Sequence, residues 1–577
     1  MEDRPWHRFY GNAVPRTLSN IGGTLHGVLE ATARRFPHRP AVQLAGPGFT
    51  GIVTYRALDR LSNRFARALI RLGIRPGDRV ALALPNLPQY PIALYGIFKA
   101  GAAAVQVNPL YHGDDLAHVL EDSGARVVVT LTRLHRQIDE IRARTALEHV
   151  VLTKVSDYFP PLWRTLYTLG RERREGDAMP PGDALAWRRL LSRESAAAPA
   201  VPVDPDALAV LQYTGGTTGV PRGAMLSHHN LVVNAAQGVA WFVGLREGTE
   251  CLLTVVPLFH AYGLLVLNAG VRLGASLLMV LMRLFDARLV AAQVPRYRPS
   301  VFPGVPAMYV AINRLKHVEQ YDLHSIRMCV SGAAELPRDV VEEFERLTGG
   351  RLVEGYGLTE ASPLVAANPL WEGSVRKPGS IGIPLPDTEA RIVDMETGTK
   401  TLAVGEPGEL VVRGPQVMQG YWHAPKDTAN AIRDGWLYTG DIGRTDEDGF
   451  FFLLDRKKDM IITAGLNVYP REIEEVLRQH PGVRQAGVVG VKHPIRGETI
   501  VAYVVPEHPG ADPSPLRADI REFLRAHLPS YKVPRRIELV DAIPTTLIGK
   551  PLRRVLRDQA ARDGADAHAE PTDGTSA

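Results

Sequence analysis

Cysteine is nearly missing from the 577 residues: Cys251 and Cys329 are the two, both in apolar stretches. Two thiols build neither a disulfide framework nor a thiolate zinc cluster, and they suit a reducing compartment. Lysine is scarce too, 11 residues against 56 arginines, so a loop lysine is more informative here than usual. Charge of one sign is not in excess. The 67 basic and 62 acidic residues leave a formal +5, a weak field over so large a surface and no argument for nucleic-acid binding. The polar residues 1–20 lack the apolar core of a signal peptide, and none is expected. The most apolar run, Leu264 to Met282, is broken by Asn268 and Arg272. It falls short of the roughly 20 apolar residues of a spanning helix and predicts a buried helix followed by a buried strand.

What is present is ordinary globular material, 45% hydrophobic and 22% charged, which excludes a mostly disordered chain. At about 100–200 residues per domain the length allows three to five folding units. From Thr24 to Val310 helical spacing alternates with short apolar strands. Leu58–Leu72 is followed by Arg79–Leu84, Pro91–Ala100 by Ala103–Val107, and Leu116–Asp122 by Val127–Leu131. This rhythm predicts parallel sheets covered by helices. Tyr158 to Pro202 breaks it. Aromatic and leucine residues from Tyr158 to Leu169 precede Arg171, Arg173 and Arg174, a pattern open to two readings: a membrane-interface stretch or a surface excursion packed on its own domain. Beyond Pro378 strands dominate, Glu389–Asp394 and Gly408–Arg413 among them. Phe450–Leu454 and Met460–Thr463 flank a charged turn, Asp455–Asp459. A helix Arg471–Gln479, with Pro470 at its first turn, opens an αβ unit of about 100 residues.

Four segments carry chemistry. Thr214-Gly215-Gly216-Thr217-Thr218-Gly219-Val220-Pro221-Arg222 follows an apolar strand. Its glycines permit close backbone approach, its N–H groups can form an anion nest, and Arg222 adds charge. A phosphate-binding loop and a plain surface loop both fit. Glu354-Gly355-Tyr356-Gly357-Leu358-Thr359-Glu360 offers a ring to stack on a base, a hydroxyl for a phosphate and a carboxylate for Mg²⁺; a strand-end turn fits as well. Tyr438-Thr439-Gly440-Asp441 places a carboxylate in a glycine turn, suited to ribose hydroxyls. Gly549-Lys550 sets a rare lysine in a loop near the end of the chain.

In order and spacing these segments resemble the adenylate-forming superfamily of acyl-CoA synthetases, luciferases and adenylation domains, from about Leu25 to Arg557. Further segments join the resemblance: Pro257-Leu258-Phe259-His260-Ala261-Tyr262-Gly263, Gly304-Val305-Pro306, Ser331-Gly332-Ala333-Ala334 and Gly465-Leu466-Asn467-Val468-Tyr469-Pro470. Glu354–Pro363, Gly414–Met418 and Asp455–Asp459 look most like bacterial long-chain fatty acid–CoA ligases.

The resemblance implies an α/β fold. A large N-terminal domain, 1–455, would hold parallel and mixed sheets covered by helices plus a β-rich subdomain. A small mobile C-terminal α+β domain, 456–560, would carry the catalytic lysine, and 561–577 is expected to be a disordered tail. The implied reaction uses ATP, Mg²⁺ and coenzyme A: a medium- or long-chain fatty acid becomes an acyl adenylate, then a thioester. By the same resemblance, Thr214 to Gly219 and Arg222 cradle the β- and γ-phosphates, Thr359 contacts the α-phosphate, and Glu360 holds the metal. Asp441 and Arg456 hold the ribose. Glu354 to Gly357 and Gly332, Ala333 and Ala334 shape the adenine and acyl pockets, with His260 and Gly304 at the acyl gate. Lys458 is the hinge, Gly465 and Asn467 line the coenzyme A channel, and Lys550 is catalytic. Three positions depart from the family pattern: Arg222 for lysine, Gly215 for serine and Thr545 for lysine. None removes the chemistry. The alternatives are an aryl or other carboxylate–CoA ligase, an acyl-AMP ligase loading a carrier protein, and a non-catalytic acyl-nucleotide-binding protein. The partners implied are small molecules and not nucleic acid, in the cytoplasm, with peripheral contact at the inner face of the membrane and a homodimer left open.

Overall fold

The computed structural model describes the chain except for residues 1–3, 12–13, 20, 173, 180–181, 215–220, 464–465, 494–496, 509, 511, 546–551 and 567–577. It divides into two compact units. The first is Met1–Ala390 with Val411–Tyr438 and Asp448–Phe450; the second is Arg391–Leu410 with Thr439–Glu447 and Phe451–Ala577.

The first unit contains two large sheets. One has eight strands in the order Gly420–Tyr421, Arg222–Ser227, Leu208–Thr214, Ala103–Gln106, Arg79–Ala83, Val127–Leu131, His149–Thr153 and Leu185–Ala186. From Leu208–Thr214 onward the neighbours run parallel, as the strand–helix rhythm predicts. The other has nine strands: Ile383–Pro384, Leu364–Ala367, Arg351–Gly357, Met328–Ser331, Val301–Gly304, Cys251–Leu253, Ser276–Val280, Pro40–Gly46 and Phe49–Thr54. Its middle, from Arg351–Gly357 to Pro40–Gly46, is parallel. Strands such as Val127–Leu131 are buried at every position, the signature of a sheet covered on both faces.

Local chemistry sets the helix ends. Thr54 accepts from the Ala57 N–H at 3.2 Å and starts Tyr55–Arg71. Ser227 and Asn230 cap each other's backbone at the head of His228–Trp241, a capping box. Gly274, at φ +66°, stops Ala261–Leu273 in the left-handed turn that glycine permits. The expected buried helix and strand in the most apolar run are Ala261–Leu273 and Ser276–Val280. Both cysteines are buried and unpaired. Among the described residues no helix is long and apolar enough to cross a membrane.

In the second unit, Leu466–Val468, Ile461–Thr463, Gly497–Pro506 and Val483–His493 form a sheet in that order, with Arg536–Leu539 added beside Gly497–Pro506. Helices Pro470–Arg478 and Pro513–His527 place Ile473, Leu477, Ile520 and Leu524 in its core. The closing helix runs Arg553–Asp566, so residues 561–566 are helical where the start of a disordered tail was expected. Leu556 and Ala560 are buried against Val489, Val501 and Tyr503, and this anchored first part carries the helix on into Ala561 and Arg562, both good helix formers.

Candidate active site

In the first unit the Gly/Thr-rich run joins two paired strands. Leu208–Thr214 and Arg222–Ser227 pair antiparallel with Thr214 opposite Arg222. Gly215, Gly216, Thr217, Thr218 and Gly219 lie outside the described residues. One helix, Gly113–Ser123, reaches Tyr213 on the first strand and Pro221 just before the second. The Tyr213 hydroxyl donates to Asp122 Oδ2 at 2.6 Å, and His118 Nε2 is 2.9 Å from the Pro221 carbonyl. Burial, reinforced by Asp122, pushes the Tyr213 phenol well above its usual range, so it stays a donor.

The second cluster follows from the parallel sheet. Gly304 opposes Ser331 at the carboxyl ends of their strands, and Ser331 opposes Glu354, midway along Arg351–Gly357. Ligands of parallel sheets bind just outside such ends. Gly332, Ala333, Ala334 and the Glu354–Gly357 run are therefore brought together, with the Gly332 N–H bonding the Gly304 carbonyl at 3.1 Å. A side chain at Gly357 would collide with the Pro363 carbonyl, and one at Gly304 would press on the Tyr309 ring. Tyr356 is buried. Tyr262 and Tyr309 both donate to the Val330 carbonyl, at 2.8 and 3.1 Å, and fix the floor beneath.

Thr359–Ala361 is a single 3₁₀ turn after that strand. The Tyr421 hydroxyl donates to Glu360 Oε1 at 2.7 Å, and the Met418 N–H bonds the Glu360 carbonyl. The Arg222 guanidinium sits 5.7 Å from the centre of the same Tyr421 ring, and its Nε is 3.3 Å from Asp427 Oδ2. Tyr421 thus links the hairpin's arginine to the carboxylate expected to hold a metal. Burial and then Glu360 raise the Tyr421 phenol well above its usual range. Tyr421 and Asp427 were not among the candidates. Their signal is slight: an aromatic pair, Tyr421-Trp422, behind a glycine, and Tyr421 lies 61 positions from Glu360.

The donor set suits Mg²⁺. Tyr421 occupies one oxygen of Glu360 and leaves the other, and the described residues contain no cluster of three or more His, Cys, Asp or Glu able to hold a metal by themselves. A hard cation that takes one carboxylate and completes its shell from phosphate and water fits this arrangement.

His260 caps Ala261–Leu273 and accepts from the Tyr262 N–H through Nδ1, 3.4 Å away. Burial lowers its pKa, so the ring is neutral and carries its proton on Nε2. Asn86, Tyr90 and Gln212 hold the preceding loop through the backbone of Thr254, Val256, Leu258 and Phe259. None of these three had been a candidate, for they come from other elements of the fold.

In the second unit, Asp441 and Arg456 face each other across a hairpin and form an ion pair, Nε to Oδ1, at 2.7 Å. Asp441 is buried. The glycine turn expected here is instead part of the strand Trp436–Thr445; within it Gly440 takes φ +70°, and its N–H bonds Glu409 Oε1 at 3.2 Å. Lys458 follows in the next turn, its pKa lowered by burial. Asn467 is exposed on Leu466–Val468. Gly465 and Lys550 lie outside the described residues. Arg553, three positions after Lys550, pairs with Asp455 at 2.6 Å and Glu474 at 2.8 Å.

Comparison with known proteins identifies the family. The sequence model of the AMP-binding enzyme family matches residues 29–422, and that of the AMP-binding enzyme C-terminal domain matches 472–550. A long-chain-fatty-acid–CoA ligase of Bacillus subtilis (strain 168) is 40% identical over 563 residues, covering 96% of this chain and 98% of the relative. Among solved structures, an anthranilate CoA ligase in complex with anthranoyl-AMP superposes with a TM-score of 0.82 at 27% identity, covering 94% of this chain and 98% of the other. The ATP-bound MatB of Rhodopseudomonas palustris gives 0.78 at 29%, covering 92% and 98%.

Proposed function

The chain belongs to the family of AMP-binding enzymes, and we propose that it joins a medium- to long-chain fatty acid to coenzyme A through an acyl adenylate, releasing AMP and pyrophosphate. It is an AMP-forming acid–thiol ligase that uses ATP, Mg²⁺ and coenzyme A. The observation that carries the chemistry is Tyr421, which donates to Glu360 and lies against Arg222. The fatty acid as substrate rests on the near-full-length likeness to a long-chain ligase.

In the first half-reaction a carboxylate oxygen attacks the α-phosphorus and pyrophosphate leaves. A carboxylate approaching a polyanion is repelled, so the residues must neutralise charge and position the partners. In this reading Arg222 and the Gly/Thr-rich run hold the outer phosphates, Thr359 donates to the α-phosphate, and Glu360 would hold the metal, which would supply further charge neutralisation. Asp441 accepts from the ribose hydroxyls while Arg456 keeps its carboxylate in place. Lys550 spans the incoming carboxylate and the α-phosphate. In the second half-reaction the thiolate sulfur attacks the acyl carbon, AMP departs with the former carboxylate oxygen, and the thiol proton passes to solvent. Neutral His260 adds no positive charge to hold the carboxylate back, which suits a gate. Residues 456–560 turn about Lys458 between the steps, a rigid-body switch, and bring Gly465 and Asn467 to the thiol. Peripheral membrane contact and a homodimer belong to the same reading; light scattering of the purified protein tests the latter.

Coenzyme A-dependent AMP release over a panel of carboxylates tests the assignment. The highest kcat/KM is expected with long-chain acids. Preference for an aryl acid would sink the fatty-acid assignment, and adenylation that ignores coenzyme A would point to a carrier-loading enzyme.

A further inference from the structure

The helix Pro161–Gly170 presents its leucines, and part of Trp163, to water. Leu162, Trp163, Leu166 and Leu169 are 68%, 37%, 53% and 82% exposed, and no residue of the helix is buried. Their spacing places them along one helical face. Arg164 and Tyr167 are half-buried against the protein, and one edge of Trp163 leans on Phe49. The Tyr167 hydroxyl donates to the buried Asp177 at 2.5 Å, and the buried Glu172 pairs with Lys154. Phe159 packs its ring 4.4 Å from Phe49 and 5.6 Å from Tyr167. A surface helix of a soluble domain has the opposite arrangement, with the apolar stripe inward. Here Tyr167 and the Trp163 ring, 5.5 Å from Phe49, moor the helix, and the three leucines are held outward.

We propose that this face docks on a lipid bilayer bearing anionic headgroups. The helix is too short to cross a bilayer and has the leucine and tryptophan composition of segments that lie in the interface plane. The charge around it is complementary. Arg171 and Arg174 are exposed just past its end, whereas the acids of the same stretch are withdrawn: Glu172 and Asp177 are buried, and Glu175 is engaged by Arg283. That last pair also fixes the loop carrying Leu284, 67% exposed, as a further apolar contact. The proposal rests on the functional reading for its purpose, because a long-chain acid is held in membranes and docking would bring the enzyme to its supply.

Co-sedimentation without substrates tests it, using vesicles of phosphatidylglycerol with phosphatidylethanolamine and, separately, of phosphatidylcholine. The protein should pellet with the anionic vesicles and be released by salt. Leu166→Glu with Leu169→Glu alters side chains already in water, so the fold should survive, and the partition coefficient should fall by about tenfold or more. Arg171→Glu with Arg174→Glu should abolish the preference for anionic vesicles. Wild-type protein left in the supernatant with both vesicles would overturn the proposal. So would leucine variants that pellet like wild type, or a leucine variant that merely converts a dimer to a monomer. Ligation of a short, water-soluble acid is measured in parallel. Its loss with docking intact would count against the enzyme assignment, and its presence without docking would count against this surface.

Discussion

Tyr421→Phe removes one hydroxyl and keeps the ring. The lost bond is a 2.7 Å donation to the Glu360 carboxylate, and hydrogen bonds to charged groups contribute about 1.5–3 kcal/mol. Partners that orient a metal-binding carboxylate typically change metal affinity or activity about 10–100-fold. The ring against Arg222 remains, as does the Arg222–Asp427 contact, so the hairpin keeps its arginine in place. The Mg²⁺ concentration giving half-maximal adenylation should therefore rise by roughly tenfold or more, read as pyrophosphate release across a magnesium titration. Conversion of supplied acyl adenylate to thioester should stay near wild type, because the outer phosphates have already left. An unchanged magnesium requirement, or equal losses in both half-reactions, would refute the role given to Tyr421. Glu360→Gln sets the upper bound, a loss of about tenfold to a thousandfold in adenylation.

Lys550→Ala should slow adenylation by on the order of a hundredfold or more while supplied adenylate is still converted; normal pyrophosphate release would remove the lysine from the mechanism. Lys458→Pro, which fixes φ near roughly −65°, should allow adenylate to form and block thioester formation; equal loss of both steps would mean damage to the fold instead of a blocked hinge. Stability should fall with acid. Burial, then the charge of Lys99, pulls His26 down to about 4, and burial, then His26, pulls His228 down to about 3. Below an unfolded pKa near 6.5 the unfolded chain takes up protons that the folded one refuses, so this stability is complete above that pH and drains as pH falls toward the folded values. At pH 5 the loss is roughly 2 kcal/mol for each histidine. Urea unfolding near pH 7.5 and pH 5 checks this, and His228→Gln should halve the difference; a pH-independent midpoint would contradict it.

Much of the site is contiguous and so was legible in the sequence. Glu354–Gly357 and Gly332–Ala334 are short runs at strand ends, and the alternation that identifies the strands also locates their carboxyl ends. Tyr421, Asp427 and Asn86 act through contacts across tens to hundreds of residues, which spacing cannot supply. The Tyr158–Arg174 stretch shows a different limit. Periodicity reveals a stripe but not the side on which the core lies. What settles the direction of the helix Pro161–Gly170 is Tyr167 reaching Asp177, a contact made after the chain has turned. The helix Arg553–Asp566 extends past its expected end because Leu556 and Ala560 find a sheet to cover, whereas composition alone reads those residues as polar and small.

The central claim is that the carboxylate is activated as an acyl adenylate before the thiol attacks. A long-chain fatty acid with both carboxyl oxygens replaced by the heavy stable isotope tests this directly, with the products resolved by mass spectrometry. The mechanism predicts one labelled oxygen in AMP, one in the thioester carbonyl and none in pyrophosphate. Labelled inorganic phosphate accompanied by ADP, or thioester formed with unlabelled AMP, would contradict it.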